Sequence, residues 1–144
     1  MFRPPSLAAV GSAVLNALFP SRCGLCGLLG PESLCEVCLT DFEPLDIVEA
    51  ALVGSPLDSR FCAFRYRGRV AQAVRRLKYQ RITSLAAPMS RLLAERTGAL
   101  LGDLLVPVPI HWTRLNARGF NQSERLAEAL RGAVHAPGVL ERVR

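Results

Sequence analysis

The apolar residues near the start of the chain recur at the spacing of one helix face. They follow Ser6, which can cap a helix, and are Leu7, Val10, Val14 and Leu18. The run of residues 7–19 also has the length of a signal-peptide core, but no small-x-small cleavage site follows it. We therefore expect an amphipathic helix that packs on the rest of the protein, with a signal peptide as the alternative.

A strand and two helices are predicted in the middle of the chain. Residues 61–66 are rich in aromatic side chains, as strands are, and Arg67-Gly68 closes them. The first helix follows, with an apolar stripe formed by Val70, Ala73, Val74 and Leu77. The second helix is capped by Ser84, accepts Pro88 in its first turn and ends at Gly98. Its inward residues are expected to be Leu85, Met89, Leu92 and Leu93.

The pattern after residue 103 again alternates a strand with a helix. A continuous apolar run at residues 104–110 predicts a buried parallel strand. Pro107 and Pro109 cannot donate to a ladder, so we expect pairing to cease there. Asn121 and Glu124 then form a capping box. The inward residues of the helix that follows are expected to be Leu126, Leu130, Ala133 and Val134. This alternation predicts an α/β fold.

Charge and composition divide the chain into parts. The acidic segment that contains Pro44, Gly54 and Pro56 has the composition of a linker. We therefore predict a first unit in residues 1–43, a linker in 44–60 and a second domain in 61–144. Residues 1–59 carry 2 basic and 7 acidic side chains, whereas residues 60–144 carry 16 and 5, so their net charges are −5 and +11. A length of 144 residues excludes a large multidomain enzyme, and 50% apolar residues exclude a disordered chain.

Four of the five cysteines form one unit, which consists of Cys23, Cys26, Cys35 and Cys38. Paired C-x2-C steps are typical of four thiolates that converge on one metal, and zinc takes such a set without redox chemistry. Ser33 and Glu36 form a capping box, so we expect a helix over residues 34–39 with the second cysteine pair in its first turn. Gly27 permits a left-handed turn behind the first pair. With no open ligand position, the zinc would hold the fold.

A disulfide framework or a redox-active pair is the rival interpretation of the four cysteines. Disulfides are typical of secreted proteins, so the cellular compartment of the protein decides between a disulfide framework and a metal site. Nothing in the sequence reaches the roughly 18 apolar residues that a membrane span needs. An amphipathic first helix and the absence of a span favour a cytoplasmic protein, in which thiols stay reduced and bind metal. Cys62 stands alone in an apolar run, and we assign it no function.

The basic residues suggest a partner that carries phosphate or carboxylate. Of the 18 basic residues, 17 are Arg, whose planar guanidinium binds such groups in a bidentate manner. A GC-rich genome is the alternative explanation of this usage. Residues 60–81 hold eight basic side chains and no acidic one. Such a run is either a solvated face or an anion-binding surface.

A candidate phosphate site lies in residues 107–122, which combine a strand end, a loop and a helix N-terminus. Open α/β sheets bind ligands at this place, and a helix N-terminus presents free N–H groups to anions. The residues expected to bind phosphate are Arg114, Arg118, Gly119, Asn121 and Gln122. A structural turn with two solvated arginines is the alternative. We expect His111 to be a hydrogen-bonded loop residue and not a general base.

Four segments together carry a specific set of motifs. They are LFPSRCGLCG, LCEVC, YRGRVAQAVRRLKY and VPVPIHWTRLNARGFNQSERLAEAL. From about Ala17 to Val134 the chain closely resembles the ComF family of competence-associated proteins. The resemblance implies a small zinc-ribbon or treble-clef-like module and a type I phosphoribosyltransferase-like domain, in which residues 107–122 form the first strand and the pyrophosphate-side loop. It also implies a bacterial cytoplasmic protein linked to uptake of transforming DNA, with a DNA-translocating helicase as a partner.

The chain departs from the type I fold at the signature for 5-phosphoribosyl 1-diphosphate. That signature is an apolar strand, two adjacent acidic residues and a Thr/Gly-rich loop, and acidic residues are never adjacent in this sequence. We therefore expect a truncated ComF-like protein with an incomplete phosphoribosyltransferase-like domain. Catalysis by this chain alone is not expected, and Mg²⁺ would bind only if another chain supplies the missing half. A phosphorylated sugar or nucleotide remains the expected ligand.

A second hypothesis comes from a different functional class. The chain would be a zinc-containing adaptor that binds nucleic acid, such as single-stranded DNA, or an acidic protein. The contact surface would be the Arg-rich run of residues 60–81. Salt dependence separates the two hypotheses, since several phosphate contacts to DNA weaken steeply with salt.

Overall fold

The computed structural model describes residues 20–50, 56–57, 59–97, 102–128, 130 and 133–142. The helix predicted from residues 7–19 lies outside these ranges. The elements in chain order are α1 (Glu36–Leu39), β1 (Pro44–Ala50), β2 (Ser59–Phe64), α2 (Gly68–Tyr79), a 3₁₀ turn (Thr83–Leu85), α3 (Ala86–Thr97), β3 (Leu104–Leu105), α4 (Trp112–Arg118), α5 (Gln122–Ala127) and β4 (Val134–His135). This mixture of helices and small sheets confirms the α/β class. No helix within these ranges is long and apolar enough to cross a membrane.

The segment predicted as a linker contains a strand. β1 pairs antiparallel with β2 from Pro44 opposite Phe64 to Ala50 opposite Ser59, with an irregularity between Pro44 and Ile47. The linker prediction was wrong for residues 44–50, because acidic residues and a proline concealed the strand-forming Ile-Val pair. The strand predicted at 61–66 is confirmed over most of its length and begins two residues earlier. The acidic segment is therefore tied to the basic one by a two-stranded sheet.

α2 buries largely the face that its spacing predicts, whereas α3 buries Ala86, Pro88 and Ser90 and leaves the expected Met89, Leu92 and Leu93 half-buried. On α2, Val70, Ala73 and Leu77 are buried as expected, Ala71 joins them and Val74 is half-buried. Ahead of α3, Ser84 lies inside the 3₁₀ turn, so the prediction that it caps the helix was wrong. The turn tightens the connection and carries Leu85 into the core, where its exposed fraction is 0%. Pro88 occupies the first turn of α3, as predicted.

One hydrophobic core joins the cysteine segment to the helices. Its buried members are Cys23, Leu25, Leu34, Cys38, Phe42, Val70, Ala73 and Leu85. The first five precede β1, whereas the last three belong to α2 and the 3₁₀ turn. β2 adds an edge-to-face contact between Phe42 and Phe64, with ring centroids 5.7 Å apart. The division into two units around residues 44–60 stays a prediction, and the core extends across that boundary.

β3 and β4 form a parallel pair of two residues each. The parallel direction agrees with the expectation for residues 104–110, and pairing ceases before Pro107, as expected. The predicted burial was wrong, because Leu104 is 54% and Val134 68% exposed. Val134 had also been expected on a helix, but α5 ends at Ala127. In the described part of the chain no third strand covers this pair.

We expect Leu77→Ala to lower the free energy of unfolding by about 2–5 kcal/mol, because it leaves a cavity where Leu77 is 1% exposed. Urea denaturation of the full chain measures the change. The matched control is Leu115→Ala on α4, where the side chain is 42% exposed and the expected change is within about 0.5 kcal/mol. Equal effects of the two substitutions would contradict the described core.

Candidate metal centre and anion cleft

The first cysteine pair lies on a tight knuckle. The backbone N–H of Gly27 donates to the carbonyl of Cys23 at 2.9 Å, and the N–H of Cys23 donates to Leu28 at 2.8 Å. Gly27 has a φ of 77°, a left-handed conformation that side chains rarely adopt. This confirms the left-handed turn predicted behind Cys26. The knuckle brings both thiols of the pair to one side of the loop.

The second cysteine pair opens α1. Cys35 is the N-cap residue of this four-residue helix, and Cys38 is on its first turn. The predicted Ser33–Glu36 capping box was wrong, since the helix begins two residues later and Cys35 makes no side-chain cap bond. The carbonyl of Ser33 instead accepts from the N–H of Gly24 at 2.8 Å. The placement of the second pair in the first turn is confirmed.

The four thiol sulfurs form one compact cluster. The Sγ atoms of Cys23, Cys26, Cys35 and Cys38 all lie within 4.8 Å of one another. Cys23 and Cys38 are 3.8 Å apart, and Cys26 and Cys35 are 3.6 Å apart. A zinc ion with four Zn–S bonds of 2.3 Å needs tetrahedron edges of about 3.8 Å. The observed distances fit a tetrathiolate site, whereas a disulfide needs an S–S distance of about 2.05 Å. All five cysteines in the chain are free.

The protein environment makes the four thiols unequal. Burial raises the pKa of Cys23, but backbone N–H groups of Cys35, Cys26 and Leu25 outweigh it and lower that pKa to about 6. Burial and the neighbouring thiols raise the pKa of Cys38 to about 12. A metal that binds at this centre near neutral pH would therefore find Cys23 largely deprotonated already and would have to displace the proton of Cys38. This centre offers structural chemistry, since four protein ligands leave no position for substrate.

Gly24, between the first two ligands, is a site residue that the sequence interpretation did not identify. A Cβ atom at this position would lie 2.7 Å from Cγ of Leu85 and 3.0 Å from Cγ2 of Ile82. The carbonyl of Gly24 accepts a hydrogen bond from Nη1 of Arg76 at 2.7 Å. The knuckle therefore docks on α2 and the 3₁₀ turn by close backbone approach. The glycine inside the C-x2-C step is the one sequence signal that could have indicated this.

The two arginines expected to clamp phosphate lie on a helix. Residues 112–118 form α4, so the prediction of a loop at Arg114 and Arg118 was wrong. His111 is the N-cap of α4, and its Nδ1 accepts from the backbone N–H of Thr113 at 3.4 Å. This agrees with a hydrogen-bonded structural role. Gly119 ends the helix with a φ of 85°. The Arg118 side chain donates to the amide oxygen of Gln122.

Asn121 caps α5, as its spacing to Glu124 predicts. Its Oδ1 accepts from the N–H of Ser123 at 3.0 Å, and its Nδ2 donates to Glu124 at 3.1 Å and to the carbonyl of Val108 at 3.2 Å. The side chain is buried, with 5% exposed. All three contacts are internal, so phosphate binding by Asn121 stays a prediction.

A basic cleft brings the two predicted anion surfaces together. Its volume is about 420 Å³, and it is lined by Lys78, Tyr79, Arg81, Arg114, Ala117 and Arg118. The guanidinium carbon of Arg118 lies 5.7 Å from the centre of the Tyr79 ring, and Arg81 donates to the carbonyl of Ala117. These contacts join the carboxyl end of α2 to α4. None of the described residues that line the cleft is acidic. By sequence alone, Lys78 and Arg81 belong to the Arg-rich run of residues 60–81 and not to the candidate phosphate site.

The rest of the basic run is largely paired within the protein. Arg65 lies 2.9 Å from the carboxylate of Glu43, which also accepts from Arg67. Arg69 lies 3.3 Å from the carboxylate of Asp41. Residues 60–81 include no acidic side chain in sequence, but the fold places Asp41 and Glu43 from the preceding segment beside their arginines. Unlike these three arginines, the four cations of the α2–α4 cleft have no acidic side chain among the residues that line it with them.

No family model matches the chain, and comparisons with curated proteins and with solved structures returned no match. The ComF resemblance therefore rests on the sequence motifs alone. The geometry described above is independent of it. The cluster of four thiols is arranged to bind a metal, and the cleft with four cations is arranged to bind an anion.

We expect one zinc ion per chain in protein purified under reducing conditions, because the four sulfurs are positioned for it. Cys38→Ala should abolish stoichiometric zinc, and a chelator should unfold the cysteine segment of the wild-type chain. Elemental analysis and circular dichroism measure the two effects. Cys62→Ala is the control and should retain the ion, since Cys62 lies outside the cluster. A zinc-free wild-type protein would refute the site.

Gly24→Ala should destabilise the zinc-loaded protein by about 1–3 kcal/mol, because the added methyl group overlaps Leu85. Urea denaturation with saturating zinc measures the loss. Gly30→Ala is the matched control, since a Cβ at Gly30 would meet nothing within 4 Å. Its expected change is within about 0.5 kcal/mol. If the two variants are equally stable, the knuckle does not dock as described.

Proposed function

We propose that this chain is a zinc-stabilised protein of the ComF type, with a phosphoribosyltransferase-like domain that binds phosphate but, without the acidic substrate-binding pair, does not catalyse transfer. The convergence of four cysteine sulfurs within 4.8 Å carries this proposal. Cys23, Cys26, Cys35 and Cys38 would hold the ion. The zinc supplies a positive charge that lets four thiolates share one site, and in this way fixes the knuckle against α1.

The ComF assignment is supported because each of the two sites contains one of the family-like motifs. The first C-x2-C step is in the segment LFPSRCGLCG, and the cleft arginines of α4 are in the segment VPVPIHWTRLNARGFNQSERLAEAL. The assignment carries with it a cytoplasmic location and a helicase partner in DNA uptake. Both are parts of the proposal.

Phosphate binding is assigned to the α2–α4 cleft. Arg81 and Arg114 are exposed, while Lys78 and Arg118 are half-buried, so all four cations can face one ligand. Guanidinium groups bind phosphate oxygens through paired, charge-assisted hydrogen bonds. The ligand would be a phosphorylated sugar or a nucleotide. Transfer is not proposed, because the sequence has no adjacent acidic pair to engage ribose hydroxyls and Mg²⁺.

Single-stranded DNA is the second candidate ligand. A further cavity of about 540 Å³ shares Arg81 and Arg118 with the cleft, and Phe120 and Arg125 also line it. The two cavities therefore adjoin in one track, in which aromatic rings lie beside cations and Arg125 is ion-paired with Glu128 at 3.0 Å. Such tracks suit a strand with regularly spaced phosphates and stacked bases. An adaptor role would use this track and not the whole run of residues 60–81.

The two ligands are distinguished by titrating the zinc-loaded chain with 5-phosphoribosyl 1-diphosphate and with a short single-stranded oligonucleotide. The first should saturate at one ligand per chain, and Arg114→Gln should weaken it about tenfold or more. Oligonucleotide binding should fall with salt at a log–log slope of about −0.7 for each phosphate contacted. Arg91→Gln is the control, because Arg91 lies on α3 outside the cleft. If neither ligand binds at low salt, phosphate binding is refuted.

A further inference from the structure

Arg76 contacts the metal knuckle although it is distant in sequence and is not a ligand. It lies on α2, 52 residues after Gly24, and its Nη1 donates to the Gly24 carbonyl at 2.7 Å. The side chain is partly buried, so this charge-assisted hydrogen bond is shielded from water. Gly24 directly follows Cys23 and precedes Cys26 by two positions. The guanidinium therefore binds the backbone that sets the spacing of the first two sulfurs.

The Gly24 peptide is held from three directions. Its N–H donates to the carbonyl of Ser33, which connects the first cysteine pair to the approach of the second. Its Cα packs against the side chains of Leu85 and Ile82. Arg76 supplies the third constraint, on the carbonyl. Each of the three contacts restrains a different movement of the knuckle, so the loss of any one of them frees a movement that changes the spacing of the sulfurs.

Charge adds to the positional effect. Four thiolates around one divalent cation carry a net charge of −2, and they would lie in a partly buried cluster in which Cys38 is 0% exposed. A cation that is bound to the same loop offsets part of that charge at short range. Outer partners of metal ligands act in this manner, and their loss typically lowers metal affinity by about 10- to 100-fold.

We propose that Arg76 is a positioning residue of the zinc site, which holds the Cys23–Cys26 knuckle in its coordinating geometry through Gly24. This role rests on the zinc binding proposed above. It goes beyond that proposal because it makes metal affinity depend on α2, which supplies no ligand. Arg76→Leu removes both the hydrogen bond and the charge, whereas Arg76→Lys retains the charge and one donor.

The test uses the full chain, stripped of metal under reducing conditions, and measures zinc affinity by competition with a chelator of known affinity. Arg76→Leu should bind zinc about 10- to 100-fold more weakly than the wild type. Arg76→Lys should recover part of the loss. Arg75→Leu is the matched control, because Arg75 is the neighbouring arginine on the same helix and is exposed. The control should stay within about twofold of the wild type.

A second measurement separates positioning from general destabilisation. With saturating Co²⁺, the visible absorption of the bound ion reports its coordination geometry and not the amount of folded protein. The Arg76→Leu spectrum should differ from the wild-type spectrum, and Arg76→Lys should restore it. If Arg76→Leu does not fold with saturating metal, Arg76→Gln, which retains a neutral donor, replaces it under the same criteria.

The outcomes distinguish this inference from the proposed function. A wild-type chain that binds no zinc refutes the metal site itself. A wild-type chain that binds zinc, together with an Arg76→Leu variant of equal affinity and an unchanged Co²⁺ spectrum, refutes only the role of Arg76. The role of Arg76 is also refuted if Arg76→Leu loses zinc affinity with an unchanged Co²⁺ spectrum and if the metal-free variant loses an equal amount of folding free energy.

Discussion

The close approach of Gly24 to the 3₁₀ turn is the constraint on which the described fold depends. Because Gly24 has no side chain, Leu85 can pack directly on the backbone between two cysteine ligands. That contact places α2 within hydrogen-bonding distance of the same peptide and closes the core around Cys23 and Cys38. The cysteine segment is too short to bury a core of its own, so it gains stability from the helices, and the proposed zinc would add to it.

The charge asymmetry of the chain becomes partly internal in the fold. Asp41 and Glu43, which lie between α1 and β1, pair with Arg65, Arg67 and Arg69. Each pair is exposed and contributes little stability on its own, about 0–1 kcal/mol. Their main effect is on where unpaired positive charge remains. One such place is the carboxyl end of α2, opposite α4, where an anion would be attracted.

Local sequence signals predicted local structure well. Gly27 in a left-handed turn, Asn121 as a helix cap and the second cysteine pair in a first turn all depend on neighbours within four residues. Local signals failed at Ser84 and at residues 112–118, and other failures involve distant partners. β1 exists because β2 pairs with it, and the start of α1 shifts because Gly24 takes the Ser33 carbonyl. Gly24 and Arg76 could not be identified as partners, since spacing within a sequence does not show which segments meet.

The two candidate sites meet at the last turn of α2. Arg76 holds the metal knuckle with its side chain, and its own carbonyl accepts from the N–H groups of Gln80 and Ile82 at 3.0 and 3.4 Å. Those bonds close the turn in which Arg81 has a φ of 55°. This left-handed conformation costs a residue other than glycine roughly 1–2 kcal/mol. Arg81 faces the cleft from that turn. The proposed zinc and the proposed anion would be thermodynamically linked through this folded turn, because each would stabilise the conformation that the other binds. The proposed zinc would therefore do more than fasten the N-terminal segment, since it would also support the geometry from which the cleft presents its charge.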